Sequence, residues 1–186
     1  QIKAATEIAP RLLGAFWTEA SRLYEVGIDS ARRTGHENLL PALLHALGDL
    51  YHGMGEYEKA EACQQETSNR ARKLGDLSGV AAALHSRGMI EQYRGNYDKS
   101  KELYNQSLDI SQQVRDQQNI ARTMHQLATI EKDTGNIDEA EKLYKLVLDT
   151  SRRSGDQFTV STTLHQLAMI EPVSYTHLRA HETVLD

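Results

Sequence analysis

One string sets the terms for the rest of this chain. LHSRGMIEQYRGNYDKSKELYNQSLDI, from Leu84 to Ile110, has a later copy in MHQLATIEKDTGNIDEAEKLYKLVLDT, Met124 to Thr150, and an earlier one in LHALGDLYHGMGEYEKAEACQQETSNR, Leu44 to Arg70. Half of it comes round again as LHQLAMIE, Leu164 to Glu171, so Leu44, Leu84, Met124 and Leu164 stand in steps of 40. A fixed period without insertions is the signature of stacked repeats, in which each unit buries its apolar face only against its neighbours. The composition agrees with a helical repeat. The chain has 186 residues, 39% of them hydrophobic and 25% charged, and only three prolines. Ala, Leu, Glu, Gln, Lys and Arg dominate, and these favour helix.

The punctuation within each period is regular. Gly35 closes a helix predicted over Arg11–Thr34, whose apolar stripe is Trp17, Ala20, Leu23, Tyr24, Ile28 and Ala31. Pro10 marks a helix start or kink, and residues 1–10 are weakly patterned. Helices follow over Glu37–His52 and Glu56–Leu74, then Leu77–Arg94 and Asn96–Val114, then Gln117–Thr134 and Asn136–Ser154. Gly75-Asp76 and Gly155-Asp156 pair a left-handed stop with a capping aspartate. Arg115-Asp116 fills the same slot, with some loss of left-handed ease. A last helix is expected over Gln157–Glu171, stopped by Pro172.

Small residues recur in register on both helices of a pair. Gly48, Gly88, Ala128 and Ala168 share one position, and Ala20, Ala60, Ser100 and Ala140 share another. Such positions let two backbones approach closely. Short turns at Gly55, Gly95 and Gly135 make the paired helices antiparallel.

Leu47-Gly48 with Gly55-Glu56-Tyr57-Glu58-Lys59-Ala60 resembles the tetratricopeptide repeat (TPR). Arg87-Gly88 with Gly95-Asn96-Tyr97-Asp98-Lys99-Ser100, and Leu127-Ala128 with Gly135-Asn136-Ile137-Asp138-Glu139-Ala140, are looser copies. The 40-residue step exceeds the basic period of about 34. It is similar to a longer-helix subclass found in bacterial and archaeal regulatory proteins and in the C-terminal arrays of NB-ARC-like signalling ATPases. The resemblance implies an all-α, right-handed superhelical solenoid of antiparallel hairpins. The frame divides as an N-terminal partial repeat at 1–36, repeats at 37–75, 76–115 and 116–155, a half repeat at 156–171, and a tail at 172–186.

The same resemblance implies a concave groove lined by the first helices. Carried over position by position, the groove residues are His45, Asp49, His52, His85, Met89, Gln92, Tyr93, Arg122, His125, Thr129, Lys132 and His165. The Lys and Asn pattern that clamps a terminal carboxylate in chaperone-tail TPRs is absent, with histidine at its first position in every copy. The implied function is a non-catalytic scaffold that binds a protein partner, as a peptide or helix. The alternative is a sensor or autoinhibitory arm of a larger signalling ATPase or transcription regulator.

The ladder His45, His85, His125, His165 admits three readings. It forms a groove that gains positive charge as pH falls, or a metal site, or half-buried side chains hydrogen-bonded to the next helix. Stacked helices stand about 8–10 Å apart, whereas zinc takes its ligands at about 2 Å. Metal is therefore not expected, and no cofactor is implied. His45, Asp49 and His52 share one helix face as a polar stripe. His177 and His181 lie four apart, but HLRAH lacks the glutamate of a metalloprotease helix, and the HENLL that begins at His36 has Leu40 at its fifth position. Cys63 stands where Leu23, Leu103 and Leu143 stand, as a small core side chain. Arg87 and Glu91, four apart, are expected to pair.

The remaining classes have little support. A net charge of −5 without a basic face argues against nucleic acid, and no apolar run approaches membrane-spanning length. One cysteine fits a reducing, cytoplasmic setting. No phosphate loop, Gly-x-Ser-x-Gly elbow or Cys-x-x-Cys is present. The opening Gln1, inside a helical pattern with no leader before it, reads as a piece of a longer protein or an incomplete gene. The tail PVSYTHLRAHETVLD has no turn glycine at Tyr175; it resembles translated adaptor sequence and is read as non-native. Ending the frame there leaves the last helix with an exposed apolar stripe and a route to self-association through uncapped terminal helices.

Overall fold

A computed structural model describes the backbone of residues 2–182 and the side chains of residues 14–170. Among the described residues every regular element is helical: α1 (Ile2–Thr34), a 3-10 turn at Glu37–Leu39, α2 (Leu40–Gly53), α3 (Tyr57–Leu74), α4 (Leu77–Tyr93), α5 (Tyr97–Val114), α6 (Gln117–Asp133), α7 (Ile137–Ser154) and α8 (Gln157–Glu182). The fold class is that expected, an all-α solenoid of the TPR type. The chain divides into two compact units, Gln1–Ile90 and Glu91–Asp186, and α4 contributes to both.

The junctions between repeats follow from local chemistry. Gly75 and Gly155 take left-handed φ values of 72° and 75°. Arg115 occupies the same slot with φ 58°, the one non-glycine residue of positive φ among those described. Each chain reversal is then closed from the far side by the following aspartate. Asp76 accepts a hydrogen bond from Gly79 N (2.9 Å), Asp116 from Asn119 N (3.0 Å) and Asp156 from Thr159 N (3.1 Å). One orphan donor at each helix start is satisfied in this way.

In the first unit the core joins Ile28 and Ala31 of α1 to Leu40, Leu44, Leu47 and Tyr51 of α2, Ala60 of α3 and Ile90 of α4. Burying each large aliphatic side chain is worth about 1.5–3 kcal/mol. In the second unit Ala128 of α6 meets Ala140 and Tyr144 of α7 and Ile170 of α8, with Ile137, Leu143 and Leu167 packed around them. Ile120, Met124 and Val147 extend that core. Of the small residues singled out by register, Ala60, Ser100, Ala128 and Ala140 are fully buried, whereas Ala20 is half-buried and Ala168 exposed.

Three local expectations are corrected. First, α1 begins at Ile2 and runs through Pro10. Second, α8 runs through Pro172 to Glu182 instead of stopping at Glu171. A helical proline removes one backbone hydrogen bond and crowds the preceding turn, but the residues on either side are helix-compatible and carry the helix past it. Third, Arg87 and Glu91 do not pair. Arg87 Nε donates to Glu61 Oε1 of α3 at 2.8 Å. Glu91, only 1% exposed, accepts from Asn96 Nδ2 (2.8 Å), Lys99 Nζ (2.9 Å) and Arg94 (3.0 Å). The tight turn after α4 brings Asn96 and Lys99 to the carboxylate, while Arg87 is taken up by Glu61. Glu131 repeats the device with Asn136 (2.7 Å) and Lys101 (2.6 Å).

Because Arg115 holds a left-handed conformation that costs an ordinary residue about 1–2 kcal/mol, Arg115→Gly is expected to stabilise the chain by about 0.5–1 kcal/mol, after allowing for the greater unfolded-state entropy of glycine. Thermal unfolding reads this as a raised Tm. Asp116→Ala is expected to lower stability by about 1 kcal/mol through loss of the cap.

Candidate functional site

Each unit carries a polar face built on its first helices. In the first unit, His45, Asp49 and His52 of α2 recur at steps of one helical turn. Gln64, buried on α3, reaches back and ties two of them. Its amide donates to Asp49 Oδ1 (2.9 Å) and to the His45 carbonyl (3.1 Å), and its oxygen stands 2.8 Å from His45 Nδ1. Ser86 of α4 donates to the same Asp49 oxygen at 2.9 Å. The second carboxylate oxygen of Asp49 remains 3.5 Å from His45 Nε2. Asp49 is exposed, so an anchored carboxylate is offered to solvent.

Gly48 makes this arrangement possible. A Cβ there would lie 2.6 Å from Gln64 Nε2 and 3.1 Å from Cys63 Cβ. Where Ala128 replaces the glycine, Tyr144 replaces the glutamine and stands clear. Cys63 packs at the edge of the core, and burial pushes its thiol up to about 11, which disfavours the nucleophilic thiolate.

In the second unit, α6 and α8 present the corresponding face. His125 Nδ1 lies 3.0 Å from Thr163 Oγ1 of α8, and its ring meets the Tyr144 ring edge-on at 5.3 Å. Thr129 Oγ1 is 2.9 Å from the Tyr144 hydroxyl, and Lys132 Nζ donates to Gln166 Oε1 at 2.7 Å. Gln92 accepts from the Tyr104 hydroxyl at 2.8 Å. Arg122, Tyr93 and His165 are exposed.

Burial lowers the pKa of His125 below the usual imidazole value, and the nearby Lys132 charge lowers it further. His52 is lowered by burial against the opposing pull of Asp49. Both rings are therefore held neutral at physiological pH.

The histidine ladder is not a uniform surface. His45 and His125 are half-buried and tied to a neighbouring helix, and His165 is exposed. His85 is 2% exposed, out of reach of a ligand. Met89 is half-buried. Among the described residues no three His, Cys, Asp or Glu side chains converge to hold a metal ion, and no described helix is long and apolar enough to cross a membrane. Reading by first-helix register missed the residues that do the fixing, Gln64, Ser86, Thr163 and Gln166. The recurrence of a hydrogen-bonding side chain at one second-helix position, Gln64, Tyr104 and Tyr144, was the available signal for Gln64.

Helix pairs with short turns, small residues at their seams and polar faces on the first helices define the helical-hairpin repeat class. Residues 39–113 and 79–153 each match the family model of the tetratricopeptide repeat. The chain belongs to the tetratricopeptide-repeat family. Repeats of this family mediate binding to protein partners, and the fold is generally a non-catalytic scaffold. No curated protein matches the chain. Among solved structures, BtubC (BKLC) from P. vanneervenii is similar, with TM-score 0.64 and 16% identity over 89% of this chain and 77% of that one. A kinesin-light-chain candidate from Podosopora anserina with nearly identical TPR-like repeats has TM-score 0.65 and 19% identity, over 98% of this chain and 91% of that one. A point variant of the same Podosopora anserina protein gives 0.66 and 18% over the same shares of the two chains. At these identities the likeness is one of fold.

Two outcomes follow from the site. Gly48→Ala is expected to destabilise by about 1–3 kcal/mol, despite the better helix propensity of alanine, because the added methyl displaces the Gln64 amide; chemical denaturation measures it. The depressed pKa of His125 gives stability that is complete above the unfolded value of about 6.5 and is lost as pH falls from there through the folded value. Tm is expected to fall over that window, and His125→Gln to flatten the fall.

Proposed function

We propose that the chain is a non-catalytic binding scaffold whose first-helix faces receive a protein partner, as a peptide or a helix. The observation that carries this reading is the fixing of polar side chains before any partner arrives. Gln64 and Ser86 hold Asp49 beside His45, and Thr163, Tyr144 and Gln166 hold His125, Thr129 and Lys132. A surface ordered in advance spares a ligand the cost of immobilising it.

In the first unit the contact residues are His45, Asp49, His52 and Met89. In the second they are Gln92, Tyr93, Arg122, His125, Thr129, Lys132 and His165. His85 acts from beneath the surface, since it is buried. The second-unit face carries Arg122 and Lys132, so a ligand segment with carboxylates suits it; the anchored Asp49 favours a donor in the first.

Selection from a displayed peptide library on the full chain, followed by fluorescence anisotropy, tests this. Arg122→Glu and Lys132→Glu are each expected to weaken a selected peptide about tenfold, the effect of about 1.4 kcal/mol. Lys145→Glu, at an exposed position of α7, is expected to leave it unchanged. Equal affinity in all three variants would sink the assignment.

A further inference from the structure

The two second helices α3 and α7 bury different chemistry at matching positions. On α7, Tyr144, Val147 and Leu148 are buried, with Ile137 and Leu143 packed nearby. Their register counterparts on α3 are Gln64, Thr67 and Ser68, all of them buried too. The rest of the buried face of α3 is Ala60 and Ala71. Every fully enclosed side chain on α3 is therefore alanine or polar, and Tyr57 and Cys63 are only half-buried. Its docking draws little on the hydrophobic effect.

Charges paired across helix boundaries stand in the place of that packing. Glu61 accepts from Arg87 Nε of α4 at 2.8 Å, and Glu66 from Arg32 Nη2 of α1 at 3.0 Å. Arg70 pairs with Glu37, in the turn ahead of α2, and its Nε donates to Glu66 at 2.7 Å. Arg32, Glu66, Arg70 and Glu37 thus form one chain of ion pairs around α3. On α7, by contrast, Lys142 and Lys145 pair with Glu139 and Glu141 of the same helix. Ion pairs open to water contribute little net free energy and are weakened by salt.

We propose that α3 is held in place by charge more than by apolar packing, and that it undocks at raised ionic strength while α7 stays seated. An 18-residue helix released from its neighbours is marginal in water, so undocking opens its backbone hydrogen bonds. Gln64 rides on α3, and undocking also frees Asp49 and His45 from its amide. The helix behaves in this way whether or not a partner uses that face.

Hydrogen exchange of the full chain, read by mass spectrometry, tests the proposal with α7 as internal reference. Protection of α3 is expected to lie about tenfold or more below that of α7. Raising NaCl from about 0.05 to about 1 M is expected to widen the gap about threefold, because the screening length falls to about 3 Å. Glu61→Gln combined with Glu66→Gln is expected to lower α3 protection at low salt and to remove most of its salt dependence. Thr67→Val installs the side chain that α7 carries at Val147 and is expected to raise α3 protection. The Thr67 hydroxyl donates to the Cys63 carbonyl of its own helix, so its loss strands no neighbour. Cys63, the single thiol, gives a second readout in the wild-type chain. Its alkylation by a maleimide, normalised to glutathione, is expected to quicken over the same salt range. Equal protection of α3 and α7, a gap or a Cys63 rate that salt leaves unchanged, a charge variant that keeps the wild-type salt dependence, or a Thr67→Val chain that exchanges as the wild type does would each overturn it.

Discussion

The close approach of two helices at a seam of small residues is the constraint from which the remaining structure follows. In the second unit it is made by Ala128 and Ala140 with Tyr144 beside them. In the first it is made by Gly48 and Ala60 with Gln64. Where the first-helix residue is glycine, an amide side chain can lie across the backbone and reach His45 and Asp49. Where it is alanine, a tyrosine stands off and reaches Thr129. A glycine at this position permits the amide without dictating it, since Gly88 stands in register with Tyr104, which donates to Gln92. Packing and surface chemistry are coupled at this position.

Most of the fold was legible because it is local and repeated. A left-handed residue followed by aspartate appears at three junctions, and the chain obeys it even where Arg115 replaces glycine; the first junction keeps the left-handed Gly35 but follows it with His36. The helix limits follow from the same punctuation. The ends were less legible. Proline is a reliable stop only when the following residues have somewhere else to go, and α1 and α8 both continue through one.

The site was legible in part. Register along a first helix identifies which residues share a face, but not how deep that face lies. His85 and His165 are equivalent in the sequence, yet one is buried and the other exposed. Depth depends on what covers a helix, a property of neighbours a full period away. The Arg87–Glu91 expectation failed for a related reason. Spacing of four allows a pair, but Glu61 and Asn96 offer better-placed partners, and a carboxylate as enclosed as Glu91 takes several donors at once. Burial alone would raise the Glu91 pKa; the hydrogen bonds from Asn96, Lys99 and Arg94 together outweigh it and hold the group below the usual carboxylate range.

A scaffold of this design keeps its chemistry on the outside and its identity in the seam. The most direct measurement is a double-mutant cycle between Gly48 and Gln64, read by chemical denaturation. If the seam couples packing to the polar face, Gly48→Ala will cost much less in a Gln64→Ala background, with a coupling of at least about 1 kcal/mol. Strictly additive effects would contradict the account.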